Sequence, residues 1–500
     1  MSAVAPTGSK RARLLVLPRW HGPDGIRAIM AVATPLILSH AVHALNLFLD
    51  RTMLAWFSQD AFTASLQGGI LNWTLLVAFL QTVGYAGTFV AQYHGAGESR
   101  RIGPAVWQGV YMALVGGLIL MALSPIGYPL FRWVGHEEPL PLLEAQYFQI
   151  LALGAPVFLL CNALSGYYTG LGRTGVVLFV TFAGCMMNAA LNLWFIFTPV
   201  GPIPSGIQGA GVATVLGAVW SLLLYILFMG ADPMAESLHA LRSGWRFDST
   251  LFRRILRFGL PSGIHGMIEH SGFMVFMMVV GLFGYAAQQA SNMAMNINLV
   301  LFIPAVGLHV TASILVGQFC GGRNTDSAER VTSTIFAMCF GYMVLVSLVY
   351  ILFPATILHL FRGGMPEAEW QSALALARIL LIFVAVYSLF DSVALVYSGA
   401  LKGAGDTKWV MWAGMILSQL SLTLPCIILA SQRGGIDPSI GLRFAWGICA
   451  FYIFALGTFY LLRFWSGHWK SIEVIDRDLA EVQGDPPAEV LGRPDTGIPA

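Results

Sequence analysis

The chain has 500 residues, 57% of them hydrophobic and only 10% charged, and its 27 Lys and Arg against 25 Asp and Glu leave a formal net charge of +2. Soluble domains carry about 25% charged residues, so the composition excludes a water-soluble globular protein. The near-neutral balance says nothing about nucleic acid, but no basic aromatic module appears, so no nucleic-acid partner is expected. Six cysteines (Cys161, Cys185, Cys320, Cys339, Cys426, Cys449) are scattered, mostly through apolar runs, with no CxxC pair. They read as small hydrophobes in helices rather than metal ligands or a disulfide framework.

In chain order, a polar and basic N-terminus runs to Arg27 and gives way to an apolar run with no A-x-A site near its end. That run is read as a retained first span rather than a cleaved leader. Stretches able to cross about 30 Å of hydrocarbon fall at 28–57, 63–91, 104–132, 145–171, 176–198, 209–230, 258–284, 289–318, 333–360, 371–401, 409–430 and 442–463. They predict an all-α integral membrane protein with twelve transmembrane helices. The boundaries are turn-rich, as in GAGESRR (95–101), GLGRTG (170–175), VGPIPSG (200–206), CGGRNTD (320–326) and RGGMPEAE (362–369). Beyond Gly467 the chain turns polar and Pro-rich, which predicts a loosely ordered tail.

With the N-terminus inside, the expected cytoplasmic segments, which include Lys402 and Lys408, hold 21 of the 27 basic residues. This bias predicts both termini in the cytoplasm and loops 133–142 and 199–207 outside. An internal repeat fits the same plan. ATPLI (33–37) and GLPSG (259–263) open spans 1 and 7, with Pro35 and Pro261 offset by 226, and Gln92 meets Gln318 at the same offset. SGYYTGLGRT (165–174) and SGALKGAGDT (398–407) correspond at an offset of 233. Six spans per half imply two six-helix lobes related by a pseudo-two-fold axis along the membrane normal, with a site between them and access alternating by rocking. The expected organisation is a cytoplasmic N-terminal segment (1–27), a first lobe (28–231), a cytoplasmic linker (232–257), a second lobe (258–465) and a polar cytoplasmic tail (466–500).

Of the acids, only Asp50, Glu269 and Asp391 lie well inside apolar spans. An acid at a helix centre costs about 2.5–3.5 kcal/mol on insertion scales, which marks it as functional. A carboxyl whose proton a bound cation can displace is an antiport element. Asn188 and Asn192, spaced i,i+4, share a helix face, where their amides can ligate a cation, bond to Asp50 or join helices. His265 stands one turn before Glu269 and is a candidate proton relay, while His40, His43 and His270 read as satisfied polar contacts. HGMIEH (265–270) is not a zinc motif, because five steps put its histidines about 140° apart on a helix. No Walker A sequence appears, so the chain reads as neither an enzyme nor an ATP-driven pump.

The chain resembles the multidrug and toxic compound extrusion (MATE) transporters, especially the NorM-like branch. The resemblance covers roughly 28–463 and rests on LFLDRTMLAW, VAQYHGAG, GLGRTG, MNAALNLWFIF and GIQGAGVATVLG in the first half. In the second half it rests on GLPSGIHGMIE, ILVGQFCGG and VYSLFDSV with SGALKGAGDT. It implies a monomer in the cell inner membrane, without a cofactor, exporting organic and often cationic compounds in exchange for H⁺ or Na⁺. By the resemblance Asp50 matches the family's span-1 acid, used together with the Asn188 and Asn192 face. Glu269 and Asp391 match the acids of its C-terminal cation site and Tyr387 its tyrosine, so a transported Na⁺ would sit among those three. The alternative on this fold is a flippase or exporter of a lipid-linked or other amphiphilic metabolite, which should carry basic residues in its cavity; Arg51 and Arg378 are the candidates.

Overall fold

Every regular element among the described residues is a helix. The computed structural model describes residues 19–135, 138–199, 201, 205–362 and 367–476. Most of the expected N-terminal segment, the tail beyond 476 and parts of loops 133–142, 199–207 and 362–369 lie outside the described residues. Among the described residues, eleven helical stretches are long and apolar enough to cross a membrane. They are span 1 (Ile26–Phe57), span 2 (Gln59–Ala96), span 3 (Ser99–Trp133), span 5 (Thr174–Phe195), span 6 (Ile207–Ala231), span 7 (Ser249–Gly281), span 8 (Tyr285–Gly321), span 9 (Thr325–Leu352), span 10 (Trp370–Ala404), span 11 (Thr407–Ser431) and span 12 (Pro438–Trp465). Leu140–Leu153 and Ala155–Gly170, bent by 44° at Gly154, supply span 4 and complete the twelve.

Helix ends follow local chemistry. The Asp248 carboxylate accepts from the Thr250 and Leu251 amides at 2.9 and 3.0 Å and starts span 7 at Ser249. Arg253, Arg254 and Arg257 therefore lie in the opening turns of that helix. The three-carbon reach of an arginine stem lets a helix carry such heads to water. Lys402 closes the last turn of span 10 and is only 7% exposed.

The repeat extends to the turns. After spans 4 and 10, Gly172 (φ +75) and Gly405 (φ +97) take the left-handed conformation that favours glycine. The Gly172 and Arg173 amides return to the Thr169 and Tyr168 carbonyls, as those of Gly405 and Asp406 return to Lys402 and Leu401. In both turns the carbonyl of the helix-end glycine, Gly170 or Gly403, receives no backbone donor. Each turn is then tied by an ion pair to the last span of its own half. Arg173 meets Asp232 after span 6 at 2.6 Å, and Asp406 meets Arg463 at the end of span 12 at 2.6 Å. The joint is the same; the charges are reversed.

The halves exchange the feet of their first helices. Ile29, Val32, Ala33 and Leu36 of span 1 sit in the apolar core of the second half. Leu251 and Ile255 of span 7 sit in the core of the first. Contacts between halves continue from this basic end as far as Ile37 with Gly307 and Trp73 with His270. Farther out, Leu45 and Phe48 of span 1 and Leu299 and Val300 of span 8 are all more than half exposed. The bundle is closed at its basic end.

The segment after span 12 corrects the expectation of a loose tail starting at Gly467. Val474 and Ile475 are buried in the first half's core, Arg254 Nε donates to the Val474 carbonyl at 2.6 Å, and Arg101 donates to the Asp476 carbonyl at 2.9 Å. Two apolar side chains and two charge-assisted bonds hold what composition alone reads as tail. The linker is pinned similarly. Trp107 Nε1 donates to the Leu241 carbonyl at 2.6 Å, and His239 Nδ1 lies 2.8 Å from the Tyr167 hydroxyl. His239 is 2% exposed. Its burial, and then the Arg173 charge, push its pKa down from the ordinary 6.5 to about 4.

Candidate functional site

Two groups of polar side chains interrupt the apolar interior, one in each half. In the first half, Asp50 of span 1 is buried. Asn192 of span 5 donates from its amide nitrogen to one Asp50 oxygen. The same nitrogen lies 3.2 Å from Asn188 Oδ1, and Asn188 donates to the Thr214 hydroxyl of span 6 at 3.4 Å. The i,i+4 spacing thus places both amides on the face that meets Asp50. Asn46, one turn before Asp50, donates to its second oxygen at 3.5 Å and was not singled out from sequence, although its spacing carries the signal. Arg51 is exposed and makes no ion pair with Asp50. The amide oxygens of Asn46 and Asn192 are buried without a hydrogen-bond donor. A carboxylate beside two such oxygens is a donor set suited to a hard monovalent cation or a proton.

In the second half, Asp391 stands half-buried near the middle of span 10, and no hydrogen bond or ion pair engages it among the described residues. Glu269 of span 7 is close enough for the two charges to interact. The Glu269 side chain is 47% exposed, yet its charge also reaches Lys402, Tyr452 and Tyr460, all buried. Glu269 thus stands where spans 7, 10 and 12 bring their polar side chains together. Tyr387, one turn before Asp391, accepts from Asn298 of span 8 at 3.2 Å, and the Tyr350 hydroxyl of span 9 donates to that same Asn298 at 3.3 Å. The tyrosine is thus oriented by spans 8 and 9 rather than by Asp391.

His265 lies between Glu269 and span 12. Its Nε2 is 2.8 Å from the Tyr460 hydroxyl, its Nδ1 is 3.8 Å from Glu269, and Nδ1 has no hydrogen-bond partner. A Cβ on Gly414 would come within 2.5 Å of the ring, so the glycine makes room for it. Sequence reasoning reached the His265 and Glu269 pair by spacing and missed Tyr460 and Lys402, which come from other helices. The remaining histidines stand apart: His40 is half-buried, His43 is exposed, and His270 bonds back to the Gly266 carbonyl at 2.9 Å. A separate groove of about 610 Å³, lined by Leu420, Pro425, Arg443 and Phe451 among others, contains none of these acids.

The two groups are not repeats of one another. At the repeat offsets Asp50 corresponds to Phe276, and Asp391 to Phe158. Asn188 and Asn192 correspond to Ser421 and Pro425, where span 11 passes through a π-helical turn, Ser418–Thr423. A proline lacks the amide that an α-helix needs there, which accounts for the widened turn. Scaffold symmetry thus carries unsymmetrical chemistry.

The MatE family model matches residues 35–194 and 261–427, one segment in each half. The chain is 25% identical over 462 residues to the probable multidrug resistance protein NorM of Shewanella oneidensis, covering 92% of this chain and 99% of that one. With the Pseudomonas aeruginosa protein of the same name it is 28% identical over 419 residues, covering 82% and 84%. Among solved structures it is similar to a MOP superfamily transporter from Pyrococcus furiosus, with a TM-score of 0.79 at 19% identity, covering 93% of this chain and 100% of that one. A multidrug resistance MATE family transporter in an outward-facing conformation gives a TM-score of 0.77 at 19% identity, covering 93% and 99%.

Proposed function

We propose, since this chain belongs to the MatE family of multidrug efflux transporters, that it exports organic cations in exchange for H⁺ or Na⁺. What supports the reading is a pair of acids in the spans of the second half, Asp391 on span 10 and Glu269 on span 7, near enough for their charges to interact. Two like charges so placed do not both ionise cheaply, so the pair holds a proton or a metal cation that an entering organic cation can displace. Each charge moved through 100 mV supplies about 2.3 kcal/mol, roughly fifty-fold in a concentration ratio, which is ample for antiport. Tyr387 completes the cation site, and His265 passes protons between Glu269 and the Tyr460 side. Asp50, with the Asn46, Asn188 and Asn192 amides, holds a second cation.

The basic end faces the cytoplasm of a cell inner membrane by the distribution of Lys and Arg. Lobes 28–231 and 258–465 rock about their interface in a monomer, and drug-like molecules enter the cleft between them. Aromatic and Met side chains there suit flat cations.

The test is release of H⁺ or Na⁺ from purified protein on adding a fluorescent organic cation. Asp391→Asn keeps shape and hydrogen-bonding capacity but removes the titratable charge. It is expected to abolish ion release and gradient-driven efflux while leaving expression intact, and Glu269→Gln is expected to do the same. If both variants retain wild-type ion release, the pair is structural and Asp50 becomes the coupling acid.

A further inference from the structure

We propose that Gln92 and Gln318 form the gate of the basic end, a reciprocal clasp in which each half's glutamine caps the open helix-end carbonyl of the other half. The proposal rests on the reading of the chain as a two-lobed, alternating-access transporter. Gln92 Nε2 of span 2 donates to the Gly403 carbonyl of span 10 at 2.9 Å. Gln318 Nε2 of span 8 donates to the Gly170 carbonyl of span 4 at 2.8 Å. The donors are 226 residues apart and the acceptors 233, the two offsets of the repeat. One bond is therefore the symmetry mate of the other, and both cross between the halves. The Tyr85 hydroxyl reinforces one side by donating to the Lys402 carbonyl at 2.8 Å.

The backbones meet with the same reciprocity. A Cβ on Gly95 would lie 1.8 Å from the Gln318 carbonyl oxygen, and a Cβ on Gly321 would lie 2.0 Å from that of Gln92. Those are the same two positions at the repeat offset. Neither glycine can carry a side chain while this end is shut. Once it opens, either could, because alanine suits a helix better than glycine.

Static packing would equally put polar bonds between helices, but the acceptors here are a special choice. The Gly170 and Gly403 carbonyls lie at helix C-termini and receive no backbone donor, and both glycines are buried while this end is shut. When the lobes part, each carbonyl exchanges an amide for water and loses little. A clasp built this way can release. Each bond contributes roughly two- to tenfold to the ratio of closed to open protein, and two independent bonds multiply.

The test uses the full chain in nanodiscs, with Cys161, Cys185 and Cys320 replaced by alanine and spin labels on Arg100→Cys and Asp326→Cys. Both label positions are exposed, on opposite halves of the basic end. Distances are measured by double electron–electron resonance with and without ethidium, at two pH values and two Na⁺ concentrations. Gln92→Leu and Gln318→Leu are each expected to move weight from the short to the long distance two- to tenfold, and by similar amounts. Gly95→Ala and Gly321→Ala should move it further. The clasp is overturned if both leucine variants keep the wild-type distribution while ethidium or pH still shifts the wild type; the transporter reading then survives. A lowered melting temperature with an unchanged distribution also overturns it, since that is packing alone. A single distance in the wild type under every condition removes the transporter reading and the clasp with it.

Discussion

Acidification should loosen this protein through one linker histidine. His239 is buried against Tyr167 and stays neutral down to about pH 4, against 6.5 when free, because burial and then the Arg173 and His94 charges disfavour its proton while Asp232 partly opposes them. Between those two values the unfolded chain binds a proton that the folded chain refuses. Stability therefore falls as the pH drops from about 6.5 towards 4 and is insensitive to this group above 7. At pH 5 the unfolded form gains about one and a half pH units of binding free energy, or ~2 kcal/mol, reduced towards ~1 because the linker lies at a wet edge. The assay is the apparent melting temperature in detergent from pH 7.5 to 5, for wild type and His239→Gln, whose amide can still bond to Tyr167. The variant should show the flatter pH dependence and should melt above the wild type at pH 5. Identical slopes would refute the reasoning.

Two further outcomes follow from charges at the basic end. Arg463→Gln strands Asp406, whose side chain is 6% exposed, whereas Arg173→Gln strands Asp232 at 12%, from an arginine already 36% exposed. Breaking the deeper pair should cost about 3 kcal/mol and the shallower one nearer 1 kcal/mol, so a melting curve in which Arg173→Gln is the worse variant would reverse that ranking. For orientation, a cysteine at Glu138 should react with an impermeant thiol reagent from outside intact cells, and one at Ser243 should not; the opposite labelling pattern would invert the topology.

The spans were legible because an apolar run is a property of consecutive residues, and the acids because each interrupts such a run. Asn188 and Asn192 were legible for a related reason: a helix fixes which residues share a face. What lies between helices was not. No periodicity announces that Tyr460 of span 12 meets His265, that Asn298 orients Tyr387, or that the feet of spans 1 and 7 change sides. The stretch through Val474 and Ile475 misled for a further reason. Composition registers charge and polarity, while burial of a short segment depends on what happens to stand above it.

The reversed charges at the two turns bear on how near-identical halves sort themselves as the chain enters a membrane. Were both halves to carry arginine at the turn and aspartate at the closing helix, either turn could pair with either helix, and four matches would compete. In this chain a crossed match sets Arg173 against Arg463 and Asp406 against Asp232. Each such meeting of like charges at ~4 Å costs about 4 kcal/mol at the effective dielectric of a protein edge. Only the two native matches attract, so each half recognises its own sixth helix and rejects its sibling's.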